Sequence, residues 1–284
     1  MSIQIQKIGI IGVGTMGAGI AQIAIQSGHN VVLFDAKEGA AEEAQDKLAK
    51  TLNTLANKGK FSHEKAAEDI AHLSIAQQLE DLKDCDLIVE AIIENLEIKQ
   101  KLMQQLEDIV NPEAILASNT SSLSISAIAA NCSQPERVAG YHFFNPVPLM
   151  KVVEVIEGFN TRADIVQALT QLSTKMGHRP VKAKDTPGFI INHAGRAFGS
   201  EAYAILNENV TPFYEIDRIY RDGIGFKMGP FELGDLTGMD VSHPVSESIY
   251  HQYYEEARYR PSVITRQRFI AKQLGRKTGK GFYD

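Results

Sequence analysis

The sequence has few cysteines and no long apolar stretch, and both absences limit what the chain can be. Its 284 residues include two cysteines, Cys85 and Cys132, which lie far apart. Two isolated cysteines exclude a disulfide scaffold and a cysteine-based zinc site, and they are typical of a reducing compartment. The apolar runs are of strand length, shorter than the ~18 to 20 residues of a membrane span, and the first residues lack the pattern of a signal peptide. We therefore expect a cytoplasmic protein.

The chain also lacks an excess of basic residues. Lys and Arg together number 29 and Asp and Glu 35, which gives a formal charge of −6. Because phosphate backbones bind basic surfaces, we expect neither nucleic acid nor a membrane as a partner. A hydrophobic content of 44% and a charged content of 23% exclude a mostly disordered chain. At roughly 150 residues per domain, the length predicts two domains.

The apolar pattern changes near residue 184. Before it, short apolar runs alternate with helical patterns, which predicts an α/β domain with a doubly wound, mostly parallel sheet. The predicted strands cover residues 7–12, 31–35, 87–91, 114–118, 138–143 and 152–156, and the predicted helices cover 16–27, 39–58 and 96–110. After it, helical patterns occur at 188–207, 213–221, 241–254 and 263–274. We predict one domain over 1–184 and a separate all-helical C-terminal domain over 185–284.

A glycine motif after the first predicted strand indicates a dinucleotide site. Residues 12–17 are GVGTMG, which matches GxGxxG between a strand and a helix. Its glycines allow a tight turn, close approach of a pyrophosphate and close helix packing, and the helix N-terminus favours phosphate. Asp35 ends the next strand, where a carboxylate can bind ribose hydroxyls and repel a 2′-phosphate. The motif predicts a Rossmann-type domain that prefers NAD to NADP, with contacts from Gly12, Gly14, Thr15, Met16 and Gly17.

A histidine and a glutamate lie on consecutive predicted strands. His142 is near the end of one strand and Glu154 is in the next. Neighbouring strands are about 4.8 Å apart, so the two side chains can meet. An imidazole held by a carboxylate is a common general base near neutral pH. Taken singly, His142 is interpreted as an ordinary core or surface histidine and Glu154 as a solubilising residue at the sheet edge.

Seven segments between residues 7 and 284 together resemble the 3-hydroxyacyl-CoA dehydrogenase family, including its 3-hydroxybutyryl-CoA dehydrogenase members. They are GVGTMGAGIA, VEAIIENLEIK, SNTSSLSI, GYHFFNPVPLMKVVEVI, DTPGFIIN, MGPFELGDLTG and GRKTGKGFYD. The HFFNP and DTPGF segments are specific, whereas GxGxxG is generic. The resemblance implies reversible, NAD-dependent oxidation of a (3S)-3-hydroxyacyl-CoA to the 3-ketoacyl-CoA, with a short acyl chain.

The resemblance also implies roles for individual residues. It makes His142 the acid/base and Glu154 its partner, and it places Ser121 and Asn192 at the substrate oxygen. Besides the glycine loop, it implies cofactor contacts from Asp35, Glu94, Lys99, Asn119, Ser121 and Asn145. A looser match places coenzyme A contacts at Thr51 and Lys58. The resemblance further implies a substrate cleft between the domains, a homodimer formed through the helical domain, and no metal.

Alternatives to this interpretation remain. The segments DRIYRDGIGFKMGPFELGDLTG and YRPS are closer to members that act on 3-hydroxyadipyl-CoA in aromatic breakdown, and His193 stands where the family has arginine. A hydroxyacid dehydrogenase with a helical lysine as its acid/base is disfavoured, because residues 188–207 contain no lysine. A non-enzymatic NAD-binding relative, similar to crystallins, is disfavoured by the joint presence of His142, Glu154, Ser121 and Asn192.

Overall fold

The apolar runs of the first part of the chain form one eight-stranded sheet. In the computed structural model, which describes residues 3–283, the strands are β1 (Lys7–Ile11), β2 (Asn30–Phe34), β3 (Leu73–Ile75), β4 (Leu87–Glu90), β5 (Ile115–Ser118), β6 (Val138–Phe143), β7 (Val152–Glu157) and β8 (Arg179–Lys184). Their order in the sheet is β3-β2-β1-β4-β5-β6-β7-β8. Every neighbouring pair is parallel except β6 and β7. The predicted doubly wound, mostly parallel sheet is confirmed.

Six helices accompany this sheet. They are α1 (Thr15–Gln26), α2 (Ala40–Asn57), α3 (His63–Ala71), α4 (Leu96–Ile109), α5 (Ile125–Ile128) and α6 (Ala163–Lys175). The main core packs strand residues such as Ile10 and Leu33 against α1, α2 and α6. The sequence patterns do not indicate α3, α6, β3 or β8. The two missed strands are the sheet edges, where β3 has three residues and β8 is largely exposed, so neither produces an apolar run.

The pairing of β6 with β7 is antiparallel because their connection is short. Residues 144–151 leave no room for the crossover helix that a parallel pair needs. The register sets His142 opposite Glu154 and Phe143 opposite Val153. Side chains that lie opposite each other across two strands share one face of the sheet. The turn of the chain at this point therefore brings the histidine and the glutamate together.

The second part of the chain is helical. Contacts divide the chain between Thr186 and Pro187, two residues after the predicted boundary. The helices after this division are α7 (Ile191–Asn207), α8 (Phe213–Arg218), α9 (Pro230–Thr237), α10 (Met239–Gln252) and α11 (Val263–Ile270). A π-helical turn, Ile219–Ile224, continues α8, and residues 187–283 contain no strand.

Local chemistry explains where the helices of the second part begin. α7 begins at Ile191, three residues later than predicted, because Gly188 and Phe189 have φ values of +79° and +47°. The sequence pattern does not indicate α9, since Pro230 is interpreted there as a breaker. Proline is favoured at the first position of a helix, which is where Pro230 lies. Within residues 3–283, every helix is too short or too polar to cross a membrane.

Candidate active site

The glycine loop joins β1 to α1 at the point where the strand order reverses. β1 lies between β2 and β4, and a dinucleotide binds in the crevice at such a point. Gly12 has a φ of +86°, and a Cβ there would lie 2.7 Å from the Ala91 carbonyl oxygen. A Cβ on Gly17 would lie 1.8 Å from the Gly12 carbonyl oxygen. The turn and the helix packing therefore both require glycine.

The middle glycine of the loop has a different environment. A Cβ on Gly14 would meet no protein atom within 4 Å, so a ligand can approach the backbone there. Gly14 is also the N-cap residue of α1, and it has no side chain to satisfy the first N–H groups of the helix. Thr15 and Met16 form the first turn, whose N–H groups and dipole favour an anion. The loop thus fits the pyrophosphate of NAD.

Asp35 follows directly after β2, which ends one residue earlier than predicted. Its Oδ2 accepts a hydrogen bond from the Val13 N–H at 3.0 Å, and its Oδ1 accepts one from the Lys37 N–H at 2.9 Å. The first bond ties the carboxylate to the glycine loop. The negative charge is thereby fixed beside the phosphate-binding turn, where it opposes a second phosphate on the ribose.

His142 and Glu154 form a buried pair. The distance from His142 Nδ1 to Glu154 Oε2 is 2.7 Å, and the two residues are 5% and 0% exposed. Because a carboxylate only accepts hydrogen bonds, it favours the tautomer with the proton on Nδ1 and the lone pair on Nε2. The Phe144 ring packs against the imidazole, with ring centroids 4.4 Å apart. The pair has the geometry of an oriented general base.

The side chains of β6 point alternately to the two faces of the sheet, and this explains why His142 lies on the same face as Glu154. Tyr141 and Phe143 are fully buried on the other face of the strand, where their rings pack edge to face at 4.6 Å. The Tyr141 hydroxyl also bonds the Ser173 Oγ of α6 at 2.9 Å. Since successive side chains of a strand point to opposite faces, these two anchors direct His142 to the face that Glu154 shares.

The end of β6 is held by Asn119, which follows β5. Its Oδ1 accepts a hydrogen bond from the Phe143 N–H at 2.9 Å, and its own N–H donates to the Glu90 carbonyl at 2.8 Å. The resemblance implies a cofactor contact for Asn119. In the structure, its side chain fixes the strand that carries His142.

Lys99, Glu90 and Glu94 form a charged network. It adjoins residues 119–124, the loop between β5 and α5, which we call the serine loop. The Lys99 ammonium is 1% exposed, and it pairs with Glu90 and, at 3.4 Å, with Glu94. Glu90 Oε2 also accepts from the Ser118 hydroxyl at 2.7 Å. The resemblance implies that Lys99 contacts the cofactor, whereas in the structure its ammonium contacts the two carboxylates. Lys99 therefore orients Glu94.

Glu94 in turn shapes the serine loop. Its Oε1 accepts from the Thr120 hydroxyl at 2.6 Å, the Ser121 N–H at 3.0 Å and the Ser122 hydroxyl at 3.0 Å. Burial alone raises the pKa of Glu94, but the bond from Thr120 and the charge of Lys99 outweigh it, so its pKa lies below the ordinary value. The ionised carboxylate thus holds Ser121, which is expected at both cofactor and substrate.

The remaining predicted residues lie in several places. Asn145 is exposed, two residues after β6. Thr51 is exposed on α2, and Lys58 is exposed directly after its last residue. The Thr51 hydroxyl donates to the Lys47 carbonyl at 2.8 Å. Asn192 is in the first turn of α7, in the second unit. Within the first unit, the structure therefore gathers the glycine loop, Asp35, the serine loop and the His142 pair at the carboxyl edge of the sheet.

Sequence reasoning missed two residues that organise this edge. Glu90 ends an apolar strand, and that charge in an apolar run was the available indication. Asp185, in the DTPGF segment, accepts hydrogen bonds from the Ser124 hydroxyl and from the N–H groups of Ile125 and Ser126, at 2.7 to 2.9 Å. It therefore caps α5 directly after the serine loop. Its role depends on residues about sixty positions away, which no local pattern reveals.

Comparisons with known proteins agree with this geometry. The sequence profile of the 3-hydroxyacyl-CoA dehydrogenase NAD-binding domain matches residues 7–186, and the profile of the family's C-terminal domain matches residues 188–284. The chain is 43% identical to the 3-hydroxyadipyl-CoA dehydrogenase of Escherichia coli over 100% of its own length, but it spans only 60% of that relative. It is 40% identical to the 3-hydroxybutyryl-CoA dehydrogenase of Clostridioides difficile, over 98% of this chain and 99% of the relative.

The chain is also similar to solved structures of this family. The crystal structure of (S)-3-hydroxybutyryl-CoA dehydrogenase from Ralstonia eutropha superimposes with a TM-score of 0.95 at 38% identity, over 99% of both chains. The NAD-binding profile and these full-length similarities cover the residues that build the glycine loop and the buried pair. The chain therefore belongs to the 3-hydroxyacyl-CoA dehydrogenase family and contains both the NAD-binding and the C-terminal domain of that family.

Proposed function

We propose that this chain interconverts a (3S)-3-hydroxyacyl-CoA and the corresponding 3-ketoacyl-CoA. The observation that carries the proposal is the His142–Glu154 pair, which lies at the same sheet edge as the glycine loop. NAD, which the glycine loop and Asp35 would hold, would supply the acceptor for the hydride that leaves carbon 3 of the substrate. His142 takes the hydroxyl proton at Nε2, and Glu154 stabilises the imidazolium that forms. General-base catalysis of this kind contributes about 10²- to 10⁴-fold.

Ser121 and Asn192 are proposed to donate hydrogen bonds to the substrate oxygen. That oxygen carries the most negative charge in the transition state, and one such donor is worth about 3 kcal/mol. Ser121 is supported by its place in the loop that Glu94 holds, and Asn192 by its place in the DTPGFIIN segment. Asn192→Ala should therefore lower kcat more than it changes KM for the thioester.

Thr51 and Lys58 are proposed to contact the coenzyme A moiety. Both are exposed, Thr51 on α2 and Lys58 at the C-cap position of the same helix. Binding energy from such a remote group positions the reacting carbon. Acetoacetyl-CoA with NADH should give rapid turnover, and free acetoacetate should be a very poor substrate. No turnover with either would favour a non-enzymatic NAD-binding protein.

The acyl chain is proposed to be short, with 3-hydroxybutyryl-CoA as the reference substrate. The Clostridioides difficile relative is named for that substrate, and the Escherichia coli relative is named for 3-hydroxyadipyl-CoA, which is the second candidate. Steady-state kinetics with 3-ketoacyl-CoAs of graded length, together with 3-oxoadipyl-CoA, will rank them. The cofactor preference should depend on Asp35, so Asp35→Ser should narrow the preference for NADH over NADPH.

We further propose a homodimer formed through the helical unit. That unit exposes a cluster of aromatic rings in which Phe226 lies 5.2 Å from Phe198 and 5.8 Å from Tyr220 between ring centroids. Phe198 and Phe226 are 46% and 41% exposed, and Ile224 beside them is 55% exposed. A contiguous apolar surface of this kind marks an interaction site.

The cytoplasm is the proposed compartment. Both cysteines are free thiols, as expected where disulfides do not form. Burial raises the pKa of the Cys85 thiol to about 11, which keeps it protonated and unreactive. Fractionation of the source cells, with the NADH-dependent activity as the marker, tests this placement.

A further inference from the structure

Arg196 of α7 is a largely buried cation for which the described residues provide no counter-charge. Its Nη1 donates to the Ser246 hydroxyl and, at 3.5 Å, to the Ser242 carbonyl, both on α10. Its Nε is buried and has no hydrogen-bond partner. Within residues 3–283, the ion pairs of arginine involve positions 137, 162, 218 and 221, and none involves Arg196. Burial lowers the pKa of Arg196 to about 10.

Other arginines that are buried at least in part show what is missing at Arg196. The Nε of Arg137 is also buried without a hydrogen-bond partner, but Arg137 has Glu107 at 3.9 Å as a counter-charge, and Arg221 pairs with Glu232. The guanidinium of Arg268 lies 3.8 Å from the centroid of the Phe282 ring. A buried donor without a partner, on a group that carries a charge, is costly. The site around Arg196 is therefore complementary to an anion that can accept from Nε.

The position of Arg196 on α7 relates it to the proposed substrate contact. Asn192 precedes it by four residues, so the two side chains lie on one face of the helix, about 6 Å apart along its axis. Side chains of a helix lean towards its N-terminus, which brings the Arg196 side chain towards Asn192. Ser246 and Ser242, also four residues apart, hold the guanidinium from α10.

We propose that Arg196 binds a carboxylate at the far end of the acyl chain, and so selects the second candidate substrate, a dicarboxylyl-CoA thioester, over 3-hydroxybutyryl-CoA. The inference rests on the proposed function, because it takes Asn192 to contact the oxygen on carbon 3. In a six-carbon chain, three bonds of ~1.5 Å separate carbon 3 from the terminal carboxyl carbon, a span of about 4 Å. This span of about 4 Å is shorter than the distance of about 6 Å between positions 192 and 196 along the helix axis. The Arg196 side chain shortens that distance because it points towards the N-terminus of the helix.

The chemistry of the two groups is matched. A guanidinium presents Nε and an Nη in a planar fork, and a carboxylate accepts from both in parallel. A carboxylate bound in this way accepts a hydrogen bond from the buried Nε and also provides the negative charge that Arg196 lacks. A methyl group at the same place, as in a simple fatty acyl chain, does neither. A carboxylate from a second copy of the chain is the competing source of the charge.

The test compares two substrates that differ only at the end of the acyl chain. They are 3-oxoadipyl-CoA and 3-oxohexanoyl-CoA, each reduced with NADH by the wild type and by Arg196→Gln and Arg196→Lys. We expect the wild type to have at least tenfold higher kcat/KM for 3-oxoadipyl-CoA. Arg196→Gln should lower this preference at least tenfold, chiefly through KM, and Arg196→Lys should keep part of it. Arg268→Gln, which removes another half-buried arginine of the same unit, should leave the preference unchanged.

The outcomes separate this inference from the proposed function. A wild type that reduces both thioesters equally well overturns the inference and leaves the proposed reaction intact, and this result stands even if Arg196→Gln does not fold. A preference that survives in Arg196→Gln also overturns it, and loss of the dimer in that variant would then identify the second copy as the source of the charge. A wild type that reduces neither thioester contradicts the proposed function, and the inference with it.

Discussion

The two units of this chain differ in how completely they satisfy their own charges and apolar surface. In the first unit, buried Lys99 pairs with Glu90, His142 with Glu154, and Arg137 lies near Glu107. In the second, Arg196 has no acidic partner among the described residues. Five large apolar side chains are exposed in residues 3–186 and fourteen in residues 187–283. The first unit thus pairs these buried charges within itself. Among the described residues, the second unit leaves a largely buried cation without an acidic partner and exposes more large apolar side chains.

This difference separates the tasks of the two units. The first unit positions the proposed acid/base pair and Ser121 by itself, through strand register and hydrogen bonds. The proposed substrate selection and dimerisation depend on groups that the second unit leaves without partners. Substitutions at the buried pairs of the first unit should therefore change kcat or stability. Apart from Asn192, whose loss should lower kcat, substitutions in the second unit should change specificity or assembly.

The largest effect is expected from loss of the acid/base in the first unit. His142→Gln removes the proton acceptor but keeps a polar side chain of similar size. Its kcat for acetoacetyl-CoA reduction should fall by about 10²- to 10⁴-fold. The Kd of NADH, measured by fluorescence titration, should change little, and the dimer should persist. A kcat within tenfold of the wild type would place the chemistry elsewhere.

A second substitution tests whether the first unit depends on its internal pairing. Lys99→Met leaves Glu90 buried without its counter-charge, which should destabilise the fold by about 3 to 5 kcal/mol. The double variant Glu90→Gln/Lys99→Met should recover part of the loss. Urea denaturation followed by circular dichroism measures both.

A matched control uses a lysine at the surface. Lys47 pairs with Glu43 in an exposed position of α2, and pairs of this kind contribute little. Lys47→Met should therefore leave the urea midpoint unchanged. Equal midpoints for Lys99→Met and Lys47→Met would show that the buried pair carries no special weight.

The contrast in exposed apolar surface predicts a difference in assembly. Phe226→Asp, in the aromatic cluster of the second unit, should convert the dimer to a monomer because a charge would be buried at the interface. Phe159→Asp, at a 92% exposed position of the first unit, should leave the dimer intact. Light scattering after size-exclusion chromatography distinguishes the two. A dimeric Phe226→Asp variant, or a monomeric wild type, would remove the support for this interface.

Sequence reasoning succeeds where the pattern is local. The central strands are apolar runs bounded by turns, and the glycine loop is a contiguous motif, so both are predicted to within one residue. The edge strands β3 and β8 are missed because partial exposure removes their apolar signature. A short helix such as α9 is missed because proline at its first position is interpreted as a break.

In the candidate site, too, the sequence predicts local features and misses contacts that depend on packing. The position of His142 opposite Glu154 follows from strand spacing and is expected from the sequence. Lys99 of α4 is buried against Glu90 of β4 and Glu94 of the connecting loop, a contact that depends on how the helix packs on the sheet. Asp185 caps α5 from about sixty positions away in the sequence. The isolation of Arg196 from any described acidic side chain is a property of the packed helices. Only coordinates reveal contacts of this kind.

The central claim, that His142 and Glu154 act as one unit, is tested most directly by a double-mutant cycle of kcat. The variants are His142→Gln, Glu154→Gln and the double variant, each assayed with acetoacetyl-CoA and NADH across pH. We predict a large loss of kcat for Glu154→Gln, because the imidazolium that forms in the reaction loses its counter-charge. The double variant should be within about threefold of the worse single variant, as expected of residues that act together. Two losses that multiply in full, or a Glu154→Gln variant with the wild-type kcat, would contradict the account.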